Sequence, residues 1–233
     1  MAKKNEKIKA QAEAEEMVSK SEAIFKKYKK QIFGCLIAVL VVICGVMLYK
    51  QMIVKPRVEK ANNAIAKAQN LFNEQQWEKA LKGDSTGVQG FIAIAEEYSS
   101  TDAGNLANLY AGLCYAKLEK WQESVNYLEK FETSDDVMIS PLSMMAAGDA
   151  YANVNNLDQA VASFRKAAEM ADKAAAGGIN NSVSPNALLK AGIILLKQNK
   201  KEEALAVFQE IKDKYMQSPV RGEIDKYIQL ASN

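Results

Sequence analysis

Two hydrophobic patterns divide the chain. From Ile32 to Tyr49, IFGCLIAVLVVICGVMLY, eighteen residues pass without a charge, between KKYKKQ and KQMIVKPRVEK. Eighteen helical residues span about 27 Å, close to a hydrocarbon core of roughly 30 Å. Lys30 and Lys50 can snorkel to the headgroups, and Met52, Ile53 and Val54 prolong the apolar stretch. The pattern predicts a transmembrane helix over 31–54, with Pro56 marking its exit. Beyond Pro56 the period changes. Two-residue alternation is almost absent, and alanines, leucines and aromatics recur at helical spacing, which predicts an all-α fold. Ser140-Pro141, Ser184-Pro185 and Ser218-Pro219 have the form of a helix start, serine as N-cap and proline at the first helical position.

The apolar run is expected to be a retained anchor. A cleaved signal has a shorter apolar core followed by small residues, whereas this run ends in Met-Leu-Tyr-Lys behind some thirty mostly polar residues. Cys44 follows Ile43, and Cys35 has no apolar run before it, so neither fits a lipid-attachment site. Residues 1–30 carry nine lysines, four of them at 26, 27, 29 and 30. That bias predicts a cytoplasmic N-terminus and places the chain after residue 55 outside.

The outer segment repeats itself. NLYAGLCYAKLEKWQESVNYLEKF (108–131), MMAAGDAYANVNNLDQAVASFRKA (144–167) and LLKAGIILLKQNKKEEALAVFQEI (188–211) align without a gap. Glycines fall at 112, 148 and 192; Tyr115, Tyr151 and Leu195 follow three later. Ser124, Ala160 and Ala204 follow twelve after each glycine, and Leu128, Phe164 and Phe208 sixteen after it. Small residues let two helices approach and large ones fill the space between them. Inter-helix turns are expected at Glu119-Lys120, Asn155-Asn156 and Asn199-Lys200.

This spacing resembles the tetratricopeptide repeat (TPR), over about residues 104–216. The departures are the missing turn glycine and Ser124 in an alanine position. AKAQNLFNEQQWEKAL (66–81) is similar to a degenerate repeat whose second helix stops at Gly83, and AAAGGINNSVSP (174–185) is expected to be an inserted loop. The organisation read from this is a charged helical tail (1–30), the membrane helix (31–54), a linker with a degenerate repeat (55–100), three TPR-like repeats (101–216) and a C-terminal capping helix (217–233). Terminal caps are expected because each repeat buries its core only against neighbours.

Composition points away from catalysis. The chain has no histidine, a net charge of +2 and three cysteines, of which only Cys114 lies outside the apolar run. No metal-ligand cluster, phosphate-binding glycine loop or nucleophile–base set is present in the sequence, so no enzyme, metal or cofactor is expected. The adjacent acids Glu96-Glu97, Asp135-Asp136 and Glu202-Glu203 diverge on a helix. Nothing in the charge balance indicates a nucleic-acid partner.

In tetratricopeptide repeats the first helix of each pair lines a concave binding face. Mapped from the glycines, the lining positions are Leu106, Leu109, Leu113 and Lys117; Leu142, Met145, Asp149 and Asn153; and Leu189, Ile193, Leu196 and Lys197. Leu109, Leu113, Lys117, Leu142, Met145, Leu189, Ile193 and Leu196 are the candidate partner-binding residues of a largely apolar groove, either open or covered by the C-terminal helix. The tail, single span and repeat domain, with IAEEYSSTDAGNLANLYAGLCYAKLEKWQESVNYLEKF (94–131), resemble the YfgM-like inner-membrane proteins. That resemblance implies an ancillary role at the SecYEG translocon and association with periplasmic chaperones and exported clients. A general scaffold for an envelope complex, with the repeats facing the periplasm, is the alternative.

Overall fold

The computed structural model describes residue 17 and residues 27–31, 33–134 and 136–233. The basic tail is therefore outside the described residues except at Met17 and 27–30, as are Ile32 of the apolar run and Asp135 of the Asp135-Asp136 pair. The chain forms two compact units, Met1–Pro56 and Arg57–Asn233. Among the described residues the secondary structure is helical, apart from one isolated antiparallel bridge between Gly83 and Gln89.

In the first unit, α1 covers 27–31 and 33–49, its side chains exposed. The helical stretch Lys27–Asn73 is long and apolar enough near its start to cross a membrane, judged by length and composition. The helix does not stop at Pro56, the residue expected to mark the membrane exit. The chain passes through a π-helical turn, Lys50–Val54, closed by the Lys55 N–H on the Lys50 carbonyl, and continues as α2 (Lys55–Asn73). A wider i→i+5 turn is one of the devices by which a helix passes a residue that lacks an N–H.

The second unit is a row of helical hairpins. α2 pairs with α3 (Trp77–Lys82), and α4 (Phe91–Glu97) leads into α5 (Asp102–Lys117). α5 pairs with α6 (Trp121–Leu128), α7 (Ile139–Asn153) with α8 (Leu157–Ala174), and α9 (Val183–Lys197) with α10 (Lys201–Lys214). A 3₁₀ turn, Pro219–Gly222, and α11 (Ile224–Ser232) close the row.

Four inter-helix turns share one geometry. Gln75, Glu119, Asn155 and Asn199 take φ of 61°, 58°, 61° and 60°. The following N–H reaches back five residues in each case, from Gln76 to Leu71, Lys120 to Tyr115, Asn156 to Tyr151 and Lys200 to Leu195, all at 2.9 Å. Each left-handed residue also donates three back, to Phe72, Ala116, Ala152 and Leu196. This is the Schellman arrangement, in which two N–H groups satisfy carbonyls that the ending helix leaves free. Its fourth occurrence, at Gln75, gives the α2–α3 connection the same turn as the other three.

Between the helices of each hairpin the small and large positions meet. A Cβ at Gly112 would stand 2.6 Å from Leu128 Cγ, at Gly148 2.7 Å from Phe164 Cε1, and at Gly192 2.3 Å from Phe208 Cε1. Ser124 is fully buried in its alanine position because its hydroxyl donates to the Gly112 carbonyl at 2.8 Å. In the first hairpin the equivalent small residue is Ala68, but α3 ends before a sixteenth position can be filled. Aromatic rings occupy the gap: Phe91 stacks on Tyr110 at 5.0 Å, and Phe72 meets Tyr110 at 5.1 Å and Trp77 at 4.9 Å, both edge-on.

The helix starts differ from the Ser-Pro expectation at two of three sites. α7 begins at Ile139, and the capping acceptor is Asp136, whose Oδ1 receives the N–H of Met138 at 3.0 Å and of Ser140 at 3.1 Å, and that of Ile139. α9 begins at Val183 under Asn180 Oδ1, at 2.8 Å from the Val183 nitrogen. Ser140 and Ser184 lie inside their helices, buried, and use their hydroxyls elsewhere. At Ser218 the expectation holds: its hydroxyl oxygen accepts from Val220 at 3.3 Å with Pro219 first in the 3₁₀ turn.

Candidate binding surface

The first helices of the hairpins, α5, α7 and α9, carry the predicted stripe, but its residues divide by burial. Leu142 and Ile193 are 45 % and 41 % exposed. Lys117, Asn153 and Lys197 are exposed as well, while Leu106, Leu113, Met145, Asp149 and Leu196 are half-buried. Leu109 and Leu189 are buried, 7 % and 9 % exposed. Leu109 packs with Val125, Leu128, Phe131, Ala147 and Ala150, between the second and third hairpins. Leu189 belongs to the core that runs from α8 to α11. These two are corrections to the candidate list: both sit three residues before a repeat glycine, as Met145 does, yet the adjoining helices cover them.

The remaining surface is a mixed strip. Leu142, Met145, Ile193 and Leu196 supply apolar area, and Lys117, Asn153 and Lys197 supply polar groups near the turns. Asp149 and Lys190 join α7 to α9 with Lys190 Nζ 2.6 Å from both carboxylate oxygens. The pair is nearly half exposed, so its contribution to stability is small. Lys190 also stands 5.5 Å over the Phe164 ring.

The C-terminal helix does not fill this strip. α11 packs on α10 and the 3₁₀ turn, and its buried residues, Ile224 and Ala231, enter the core of the last hairpin. That placement leaves Leu142 and Ile193 to solvent.

A buried polar cluster, missed at the sequence level, holds the last two hairpins in register. Asp172, near the end of α8, is 8 % exposed. Its Oδ1 accepts from Ser184 Oγ at 2.6 Å and the Asn180 N–H at 2.8 Å; its Oδ2 accepts from Lys214 Nζ at 2.6 Å and Tyr215 Oη at 2.7 Å. Burial pushes the Asp172 carboxyl up, but Lys214, Ser184, Asn180 and Tyr215 together outweigh it and hold the carboxyl below its ordinary value. Lys214 is raised by the same hydrogen bond. Burial, then Asp172, pushes the Tyr215 phenol up to about 12. A buried carboxylate with four donors is satisfied, so the cluster acts structurally. The signal in the sequence was a Ser-Pro pair read as a cap, when the serine is a donor to the preceding helix.

Cys114 is buried in the core of the first two hairpins, and burial pushes its thiol up to about 12, so it stays protonated at neutral pH. Among the described residues no group of three or more Cys, Asp or Glu is placed to hold a metal ion.

Residues 145–219 match the tetratricopeptide repeat family, from the middle of α7 to the start of the 3₁₀ turn. The chain therefore carries tetratricopeptide repeats, and a repeat domain of this kind is a protein–protein interaction module. No curated protein matches the chain at a significant level.

Proposed function

We propose that this chain is a membrane-anchored tetratricopeptide module that docks protein partners on the α5–α7–α9 face, as an ancillary component of protein translocation and the periplasmic chaperone network. It is not an enzyme in this reading and uses no cofactor. The observation that carries it is the exposed apolar pair Leu142 and Ile193, on successive first helices and left uncovered by α11. A contiguous exposed apolar patch rimmed by polar residues marks an interaction site. The translocon and chaperone partners, the inner-membrane location and the outward repeats rest on the resemblance to YfgM-like proteins and on the lysines at 26–30.

Crosslinking of the full chain in native membranes, followed by purification in mild detergent, tests the partner class. Translocon subunits or periplasmic chaperones crosslinked through the α5–α7–α9 face support the proposal. Crosslinks from that face to cell-wall or outer-membrane assembly factors would favour the envelope scaffold. A periplasm-dependent reporter fused after Asn233 tests topology, and an inactive reporter on an inserted full-length fusion would overturn the outward placement.

A further inference from the structure

The two ends of the hairpin row differ in polarity. One end carries the turns at Gln75, Glu119, Asn155 and Asn199, flanked by Gln76, Lys120, Asn156 and Lys200; none of the four turns bears an exposed large apolar side chain among the described residues, and Leu230, late in α11 as it runs back along α10, is a single exposed leucine apart from them. The other end carries the connections between hairpins, and these are tipped with exposed apolar residues. Val137 and Met138 precede α7 and Ile139 opens it, Ile179 lies in the loop before α9, and Met216 follows α10, each 41–67 % exposed.

Contacts place these connections side by side. Asn105, in the first turn of α5, exchanges two hydrogen bonds of 2.8 Å with the backbone of Glu132, beyond α6. Thr133, Ser134 and Asp136 share a cleft with Lys173 and Ala174 at the end of α8. Asn181 accepts from the Gln217 N–H at 3.3 Å. The chain enters the unit at this same end: the Arg57 guanidinium donates to the Glu97 carbonyl and lies 5.6 Å over the Tyr98 ring, beside the α4–α5 connection.

We propose that the Val137–Ile139, Ile179 and Met216 tips insert into the interfacial region of a lipid bilayer, as a second membrane contact of this protein. The inference rests on the membrane-anchor reading of α1. Only Lys55 and Pro56 separate Val54 from Arg57, so the covalent chain keeps Arg57 within about 11 Å of the apolar run. A tether this short raises the effective concentration of a bilayer at the Arg57 end, so that shallow apolar side chains suffice for contact. The choice of a bilayer over a protein occupant follows from two facts: the tips sit at the tethered end, and the four turns at the opposite end carry no exposed large apolar side chain among the described residues.

Tryptophan fluorescence of the full chain in dioleoylphosphatidylcholine vesicles, with and without chain bromination, tests this. The native Trp77 and Trp121 follow two of the polar turns and give a background measured in the unsubstituted protein. Met138→Trp and Met216→Trp should lose most of their added emission to bromine, and Lys201→Trp, at the polar end, should keep it. Leu40→Trp, within the apolar run, reports the anchor independently. Quenching of Leu40→Trp with unquenched tips overturns the proposal and leaves the anchor standing, whereas an unquenched Leu40→Trp overturns both. Tip emission that shifts to the blue without bromine quenching, at rising protein density, would assign the tips to a second copy instead.

Discussion

Phe164 lies flat against the space where Gly148 would carry a side chain: a Cβ there would meet Cε1 at 2.7 Å and Cδ1 at 2.8 Å. The ring is 1 % exposed and hemmed in by the core of the last two hairpins, so it cannot move aside cheaply. Gly148→Ala is expected to overpack the hairpin by about 1–3 kcal/mol. Each kcal/mol corresponds to roughly 2–4 °C in Tm for a domain of this size. Adding Phe164→Leu should recover part of the loss. A melting scan of the three variants checks this, and a second-site change that deepens the loss would place the strain elsewhere.

The turns offer a test in the stabilising direction. Gln75 and Glu119 hold φ near +60°, where a Cβ costs energy, with no asparagine-like side chain to ease it. Gln75→Gly and Glu119→Gly should each raise stability by about 0.5–1 kcal/mol. Asn155→Gly and Asn199→Gly should gain less, because asparagine tolerates the left-handed region. Equal gains at all four turns would mean that side-chain type is irrelevant there.

The hairpins could be read from the sequence because their packing rule is a spacing rule. Glycines 112, 148 and 192 each face a large residue sixteen later, and one helix turn cannot hide such a repeat. The left-handed turns could be placed but not their generality, since glutamine at 75 carries no preference for that conformation. Burial on the candidate face was not legible either. Leu109, Met145 and Leu189 share one register, yet only Met145 keeps accessible surface, because that depends on which neighbouring helix lies across it. Register fixes a face; the packing of the next hairpin decides whether the face is open. The Ser-Pro pairs failed for a related reason. Ser140 and Ser184 have partners in the preceding connection or helix, which no local pattern encodes.

Acid should weaken the row at its aspartate ties. Burial pushes the Asp136 carboxyl up, but hydrogen bonds from Ser140, Met138 and Ser134 prevail and bring it down to about 2; Asp172 is lowered as well. A carboxyl whose pKa is lower in the folded chain contributes stability that is complete above its unfolded pKa of about 4 and is lost as pH falls through the folded value. Tm should therefore drop between about pH 4 and pH 2. Asp136→Asn should flatten that drop while lowering Tm at neutral pH. A variant with the wild-type acid slope would remove Asp136 from the tie.

The binding face makes a prediction that separates contact from core. Leu142 and Ile193 are exposed on successive first helices, whereas Leu109, in the same predicted stripe, is packed between hairpins. Leu142→Ala with Ile193→Ala should leave the fold intact, since surface substitutions usually stay within about 0.5 kcal/mol. If these side chains anchor a partner, the pair should weaken capture at least several-fold, because truncating a contact anchor costs more than about 1 kcal/mol. Leu109→Ala should do the reverse. It should lower stability by about 2–5 kcal/mol through a cavity between α5, α6 and α7, and should affect capture only in proportion to the folded fraction. Circular dichroism and partner capture, measured on the same preparations, distinguish the two. A folded Leu142→Ala, Ile193→Ala variant that retains every partner would remove the α5–α7–α9 face as the docking site and shift attention to the apolar helix and the basic segment before it.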